Sequence, residues 1–126
     1  MSIAGGRALH HVALRCADVE RTAAFYETIV LLARGDAHHD ALGLRSVWLS
    51  AGGVIVMCER REPEEPAPSA HDKHLLAFTV TAGGWPAVIA RLAAAGVPVE
   101  GETSFTLYAR DPDGRRVAFS SYPAAR

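Results

Sequence analysis

Leu9-His10-His11-Val12-Ala13-Leu14-Arg15-Cys16 decides how this chain is read, because Lys73-His74-Leu75-Leu76-Ala77-Phe78-Thr79-Val80 repeats its pattern further on. The offset is about 64 residues, roughly half the chain, and each stretch precedes a helical pattern and then further strand patterns. A unit of that size cannot bury its own apolar face, so the two halves are expected to complete one core together.

Outward from the first stretch, Asp18 is placed to cap a helix and Glu20 sits in its first turn. Val19, Ala23, Tyr26 and Val30 recur at helical spacing, which predicts a helix over 19–32. Gly35-Asp36 is read as its end, with a short strand or loop over 37–44. Strands are expected over 45–50 and 54–59 around the turn Ala51-Gly52-Gly53. Residues 60–73 include Glu62-Pro63-Glu64-Glu65-Pro66-Ala67-Pro68, an extended, solvated composition with no folding pattern. After the second stretch, Trp85-Pro86 opens a helix striped by Val88, Leu92 and Ala95 and ended by Gly96. Short strands follow over 97–101, 105–110 and 116–122, with Asp111-Pro112-Asp113-Gly114 as a turn. The order βαβββ occurs twice.

The bulk numbers agree with one α+β domain over 1–126: module one at about 8–60, a linker at about 61–73 and module two at about 74–123. At 49% hydrophobic and 21% charged residues the composition is that of a globular domain. A net charge of -1 offers no basic excess for nucleic acid. The N-terminal Met1-Ser2-Ile3-Ala4-Gly5-Gly6-Arg7 has no apolar core of a signal peptide, and no run is long enough to span a membrane. Cys16 and Cys58 have apolar neighbours and are read as reduced and buried, which fits a cytoplasmic setting. Phosphate-binding glycine loops, nucleophile elbows and interleaved aromatic and basic residues are lacking.

This order resembles the vicinal oxygen chelate superfamily, which includes glyoxalase I, bleomycin-resistance proteins and extradiol dioxygenases. The matching pieces are His11-Val12-Ala13-Leu14, Asp18 through Phe25-Tyr26-Glu27, Leu92-Ala93-Ala94-Ala95-Gly96-Val97, and Asp111-Pro112-Asp113-Gly114 before the last strand. The resemblance implies two βαβββ modules whose mixed sheets curve into a cup, with helices outside and a small-molecule ligand inside. It also implies a homodimer. Leu31 departs from the pattern, because the family commonly has a glycine ending the first helix.

Metal-using relatives take four ligands from the first and last strands of each module. Carried over, the positions fall on His11, Val56, Leu75 and Ala118. Only His11 can donate a lone pair to a metal. No metal and no cofactor are therefore expected. A rearranged site would need His10, His38, His39, His71 or His74, and His74 would reach the right face only through a β-bulge.

Alternation along the strands then gives the expected cup lining. It comprises His11, Ala13 and Arg15; Trp48; Val54, Val56 and Cys58; Leu75, Ala77 and Thr79; Tyr108 and Arg110; Arg116, Ala118 and Ser120. Val12, Leu14, Ile55, Met57, Leu76, Phe78, Val117 and Phe119 are expected under the helices. Arg15 and Arg116 either hold an anionic ligand, or snorkel to the rim or pair with Glu59, Glu100 or Asp111. Cys58 is either a thiolate nucleophile supported by Arg15 or an inert buried thiol.

Three functions fit these residues. The first is a metal-independent small-molecule binder of the bleomycin-resistance type, with arginines suited to an anion. The second is an enzyme of the same superfamily, a lyase, isomerase or dioxygenase, using His11 as base or a rearranged metal site. The third is a scaffold whose cup is filled by its own side chains.

Overall fold

The computed structural model describes residues 6–126. The N-terminal stretch read for a leader lies mostly outside them. Module one runs β1 (His11–Cys16), α1 (Val19–Thr28), β2 (Ala33–Asp40), β3 (Gly43–Ala51) and β4 (Val54–Arg60). The second half runs β5 (Leu75–Thr79), a 3-10 turn (Ala82–Gly84), α2 (Trp85–Ala94), β6 (Gly101–Glu102), β7 (Thr106–Arg110) and β8 (Arg116–Ser120). The sheets have equivalent strand orders, β1-β4-β3-β2 and β5-β8-β7-β6. In each, the first and last strands of the unit pair in parallel and the rest are antiparallel. The α+β class and the doubled βαβββ order are thus as the sequence implies.

Three boundaries differ from expectation, each for a local reason. Helix α1 stops at Thr28, because Leu31 turns left-handed at φ 67° and Leu32 N–H closes back on the Tyr26 carbonyl at 3.0 Å. The chain then enters β2 at Ala33, through Gly35-Asp36 rather than ending there. Strand β6 is only Gly101–Glu102, because Val97 N–H caps α2 through the Leu92 carbonyl at 2.9 Å and Pro98 has no N–H to pair.

Each helix covers one face of its sheet. Val19, Ala23 and Tyr26 of α1 join Leu14, Cys16, Val47, Leu49, Val56 and Cys58 in the core; Trp85, Val88 and Leu92 of α2 join Leu107, Ala109, Val117 and Phe119. Amphipathic spacing explains both stripes.

The register corrects the face expected for β4. His11 pairs with Ile55, Val12 with Val56, Ala13 with Met57 and Leu14 with Cys58. Val54, Val56 and Cys58 therefore share the helix-facing side with Val12 and Leu14, while Ile55, Met57 and Glu59 share the open side with His11. The expected order was slipped by one residue, which moves every side chain to the opposite face. Apolar residues occupy both faces of β4, so alternation alone could not choose between them.

The halves are joined by more than apolar contact. Thr22 of α1 donates its hydroxyl to Asp113 Oδ2 (2.6 Å), and Ala17 N–H donates to Asp113 Oδ1 (2.9 Å). Arg115 Nη2 donates to the Arg15 carbonyl at 2.7 Å, and Arg91 of α2 reaches the carbonyl of Ile29 beyond α1 at 3.0 Å. Among the described residues, no helix is long and apolar enough to cross a membrane.

Candidate functional site

The open strand faces are where the expected site residues gather. In the first sheet this side carries His11, Ala13 and Arg15 of β1, Ile55, Met57 and Glu59 of β4, and Ser46, Trp48 and Ser50 of β3. In the second it carries Leu75, Ala77 and Thr79 of β5, Arg116, Ala118 and Ser120 of β8, and Thr106, Tyr108 and Arg110 of β7. Of the expected lining, Val56 and Cys58 do not belong here. They are 2% and 0% exposed, on the helix-facing side, with Val54 on the same side. Ile55 and Met57, expected beneath α1, take their place on the open side.

The thiols are built for burial. Cys16 donates its S–H to the Leu14 carbonyl at 3.1 Å, and both cysteines are free and buried. The neighbouring Cys58 thiol, together with burial, pushes the Cys16 thiol up from its ordinary value. Cys58, at 0% exposure, therefore lacks the access a nucleophile needs. Arg15, its expected support, points to the other face.

The arginines are already partnered. Arg15 forms ion pairs with Glu59 and with Glu65 of the Pro-rich linker, the latter bond from Nε at 3.1 Å. Arg45 adds a second cation to Glu59 at 3.7 Å. Arg116 stacks over the Tyr108 ring at 4.2 Å and contacts Glu100 at 3.2 Å. Glu100 also takes Arg110 at 2.9 Å, and both arginines hold its carboxyl below its ordinary value. Ser120 is likewise occupied, accepting the Thr106 hydroxyl at 3.0 Å. Nothing in the sequence marks the linker glutamate Glu65 as a partner of Arg15, because a charge between prolines in a solvated segment carries no sign of what it pairs with.

The donor set does not fit a resident metal. His11 is exposed, and its Nδ1 lies 2.9 Å from His10 Nδ1 rather than against a carboxylate. Its strand partners on the open side are Ile55 and, one step on, Met57, which cannot supply hard oxygen or imidazole donors. Leu75 and Ala118 stand at the other two positions. His74 does not replace them: it precedes β5, its Nδ1 is 2.8 Å from Asp72, and β5 and β8 pair without a bulge. Among the described residues no group of three or more His, Cys, Asp or Glu could hold a metal ion.

What the open faces do offer is apolar surface with a few polar groups, the ordinary make-up of a small-molecule site. Trp48 lies beside His38 with ring centroids 5.2 Å apart. Two cavities flank the place where β1 and β5 approach. One of about 390 Å³ lies largely on the helix-facing side, lined by Val12, Val30, Leu32, Val54, Val56 and Phe78 among others. The other, of about 490 Å³, is lined by Ala13, Arg15, Leu75 and the linker residues Glu65, Pro66 and Pro68 among others.

Comparison with known proteins gives a family match over residues 8–119, to the model described as glyoxalase/bleomycin resistance protein/dioxygenase superfamily. No curated protein matches the sequence. A mutant of the fosfomycin resistance protein FosX from Listeria monocytogenes, solved with Mn(II) and 1S,2S-dihydroxypropylphosphonic acid, is similar in structure at TM-score 0.76 and 18% identity, covering 90% of this chain and 91% of that one. Lactoylglutathione lyase from Agrobacterium tumefaciens is similar at TM-score 0.68 and 20% identity, covering 94% and 96%. An integron cassette protein from the mobile metagenome of the Halifax Harbour sewage outfall reaches TM-score 0.68 and 22% identity, covering 91% and 98%. At these identities the likeness is one of fold.

Proposed function

This chain belongs to the glyoxalase/bleomycin resistance protein/dioxygenase superfamily, and we propose that within it the protein binds a small molecule on its open strand faces without a metal. One observation carries the reading: beside His11, the facing strand offers Ile55 and Met57 where a metal site would need donors. Leu75 and Ala118 extend the same apolar character in the second sheet. A fold neighbour solved with Mn(II) shares the architecture, whereas these positions of this chain carry no metal donors beside His11.

A base role for His11 finds little support in the geometry. Among the described residues no carboxylate orients its ring, and its Nδ1 lies against another histidine. The reading therefore rests on binding: His11, Trp48, Met57, Leu75 and Tyr108 form the ligand surface, with Ala13, Thr79, Arg15 and Arg116 at its margins, while Ala118 shares their face but is 1% exposed and offers packing rather than surface. A homodimer is part of the proposal, because His11, Ala13, Ala77 and Thr79 are exposed on the open faces within one chain and a second copy would enclose them. A cytoplasmic setting is supported by the two free thiols.

The test is a fragment screen by amide chemical-shift mapping with a chelator present throughout. The expected result is hits that cluster on residues of the open faces and persist in chelator. Hits that appear only after a divalent metal is added would overturn the reading.

A further inference from the structure

The linker between β4 and β5 is held down by arginines from both halves. Arg15 of β1 takes the Glu65 carboxylate through Nε and Nη2. Arg110 of β7 donates Nη2 to the Ala70 carbonyl at 2.9 Å. Between these two anchors, Pro66 and Pro68 wall the cavity of about 490 Å³ against Leu75 and Leu76.

The two carboxylates on Arg15 are not equivalent. Glu59 is its direct neighbour in the sheet, since Arg15 and Glu59 are paired in the β1–β4 register. Glu65 lies on a segment with no helix or strand, and is braced locally by accepting the Glu62 N–H at 3.0 Å. Its pair with Arg15 is reached by solvent, with side chains 37% and 30% exposed, so it can open at small cost. With Glu65 in place, Arg15 and Arg45 are balanced by Glu59 and Glu65. With Glu65 swung out, Arg15 keeps only Glu59 as its carboxylate partner, at the mouth of a cavity whose lining is mostly apolar but includes Asp72, His74 and Arg115.

We propose that Glu65 is an internal stand-in for a ligand carboxylate, and that the space under the linker takes a small apolar monocarboxylate which displaces Glu65 from Arg15. This rests on the reading that the open faces bind a small molecule, and adds the chemical class of the ligand and the contact it must break. A planar guanidinium presenting two parallel N–H groups matches the two oxygens of a carboxylate. The hydrocarbon part lies against Leu75, Leu76, Pro66 and Pro68. Glu59, which stays beside Arg15, disfavours a doubly charged anion. The linker is then a gate whose closed state is held by its own glutamate.

Benzoate and its neutral isostere benzamide test this, titrated by amide chemical shifts into the wild-type protein, E65Q and R15K. If Arg15 is free of Glu65 in only ~10% of molecules, removing the competitor tightens apparent binding about tenfold. The expected result is therefore benzoate affinity raised at least about fivefold in E65Q, with benzamide indifferent to the change. R15K, which keeps the charge and loses the fork, weakens benzoate in either background. Equal benzoate affinity in wild type and E65Q overturns the gate, as does no benzoate binding to E65Q. If benzoate and benzamide both shift residues near Trp48 and Met57 regardless of Glu65, the gate fails while small-molecule binding on the open face stands.

Discussion

The Tyr26 hydroxyl donates to Asp111 Oδ2 at 2.7 Å, joining the helix of the first half to the β7–β8 turn of the second. The same carboxylate receives Arg115 Nη1 at 2.6 Å, and its other oxygen accepts the N–H groups of Asp113 and Arg115. Burial, and then the Asp111 carboxylate, push the Tyr26 hydroxyl well above its ordinary range, so it stays a neutral donor. The Asp-Pro-Asp-Gly turn is therefore the fastening between the two units, with Gly114 at φ 86° supplying the left-handed position the turn needs.

Removing Asp111 should loosen that fastening sharply. Its side chain is fully buried and Arg115 is only 15% exposed, so Asp111→Ala leaves a mostly buried cation and a buried hydroxyl unpartnered. The expected loss is about 3–5 kcal/mol. Tyr26→Phe removes one of several bonds to the carboxylate and should cost about 1–2 kcal/mol. Urea denaturation of both variants checks the order; a Tyr26→Phe loss equal to that of Asp111→Ala would contradict it.

Leu31 should be improvable. It sits at φ 67° with its side chain largely in solvent, so the left-handed backbone is held without a compensating contact from a buried side chain. Leu31→Gly removes a strain of about 1–2 kcal/mol and gives back part of it in unfolded-chain entropy. A net gain of about 0.5–1 kcal/mol in thermal or urea unfolding is expected. A loss of stability would mean that Leu31 packs against something outside a single chain.

The Arg15–Glu65 contact should be visible in a titration. Hydrogen bonding from Arg15, then from the Glu62 N–H, lowers the Glu65 carboxyl from 4.5 to about 2. A depressed carboxyl stabilises the closed linker above its ordinary value, and that contribution is lost as the pH falls from 4.5 towards 2. Other carboxyls are also lowered, Asp40 and Asp72 among them, so global acid unfolding does not isolate it. Carbon-13 titration of the Glu65 carboxyl does. A midpoint below the ordinary carboxylate value is expected in the wild-type protein, and one closer to that value in Arg15→Gln; matching midpoints in the two would contradict the contact.

How much of this was legible depended on whether a residue's role was local. The doubled βαβββ order was, because Asp18, Trp85-Pro86, Gly96 and Asp111-Pro112-Asp113-Gly114 each mark a boundary by their own chemistry. The open face of β5 and β8 was also readable, because Val117 and Phe119 alternate with Arg116, Ala118 and Ser120. The face of β4 was not. Val54-Ile55-Val56-Met57-Cys58 is apolar on both sides, and only pairing with β1 shows that Met57 and not Val56 stands beside His11. The partners of Arg15 and Arg116 were half legible: Glu59 and Glu100 were foreseeable as strand neighbours, whereas Glu65 depends on the path of a linker with no periodicity.

The central claim is that these open faces bind their ligand without a metal, and elemental analysis tests it most directly. Protein purified without chelator or added metal should carry no stoichiometric divalent ion, and His11→Ala should not change its metal content. About one tightly held divalent ion per chain, lost on His11→Ala, would contradict the account.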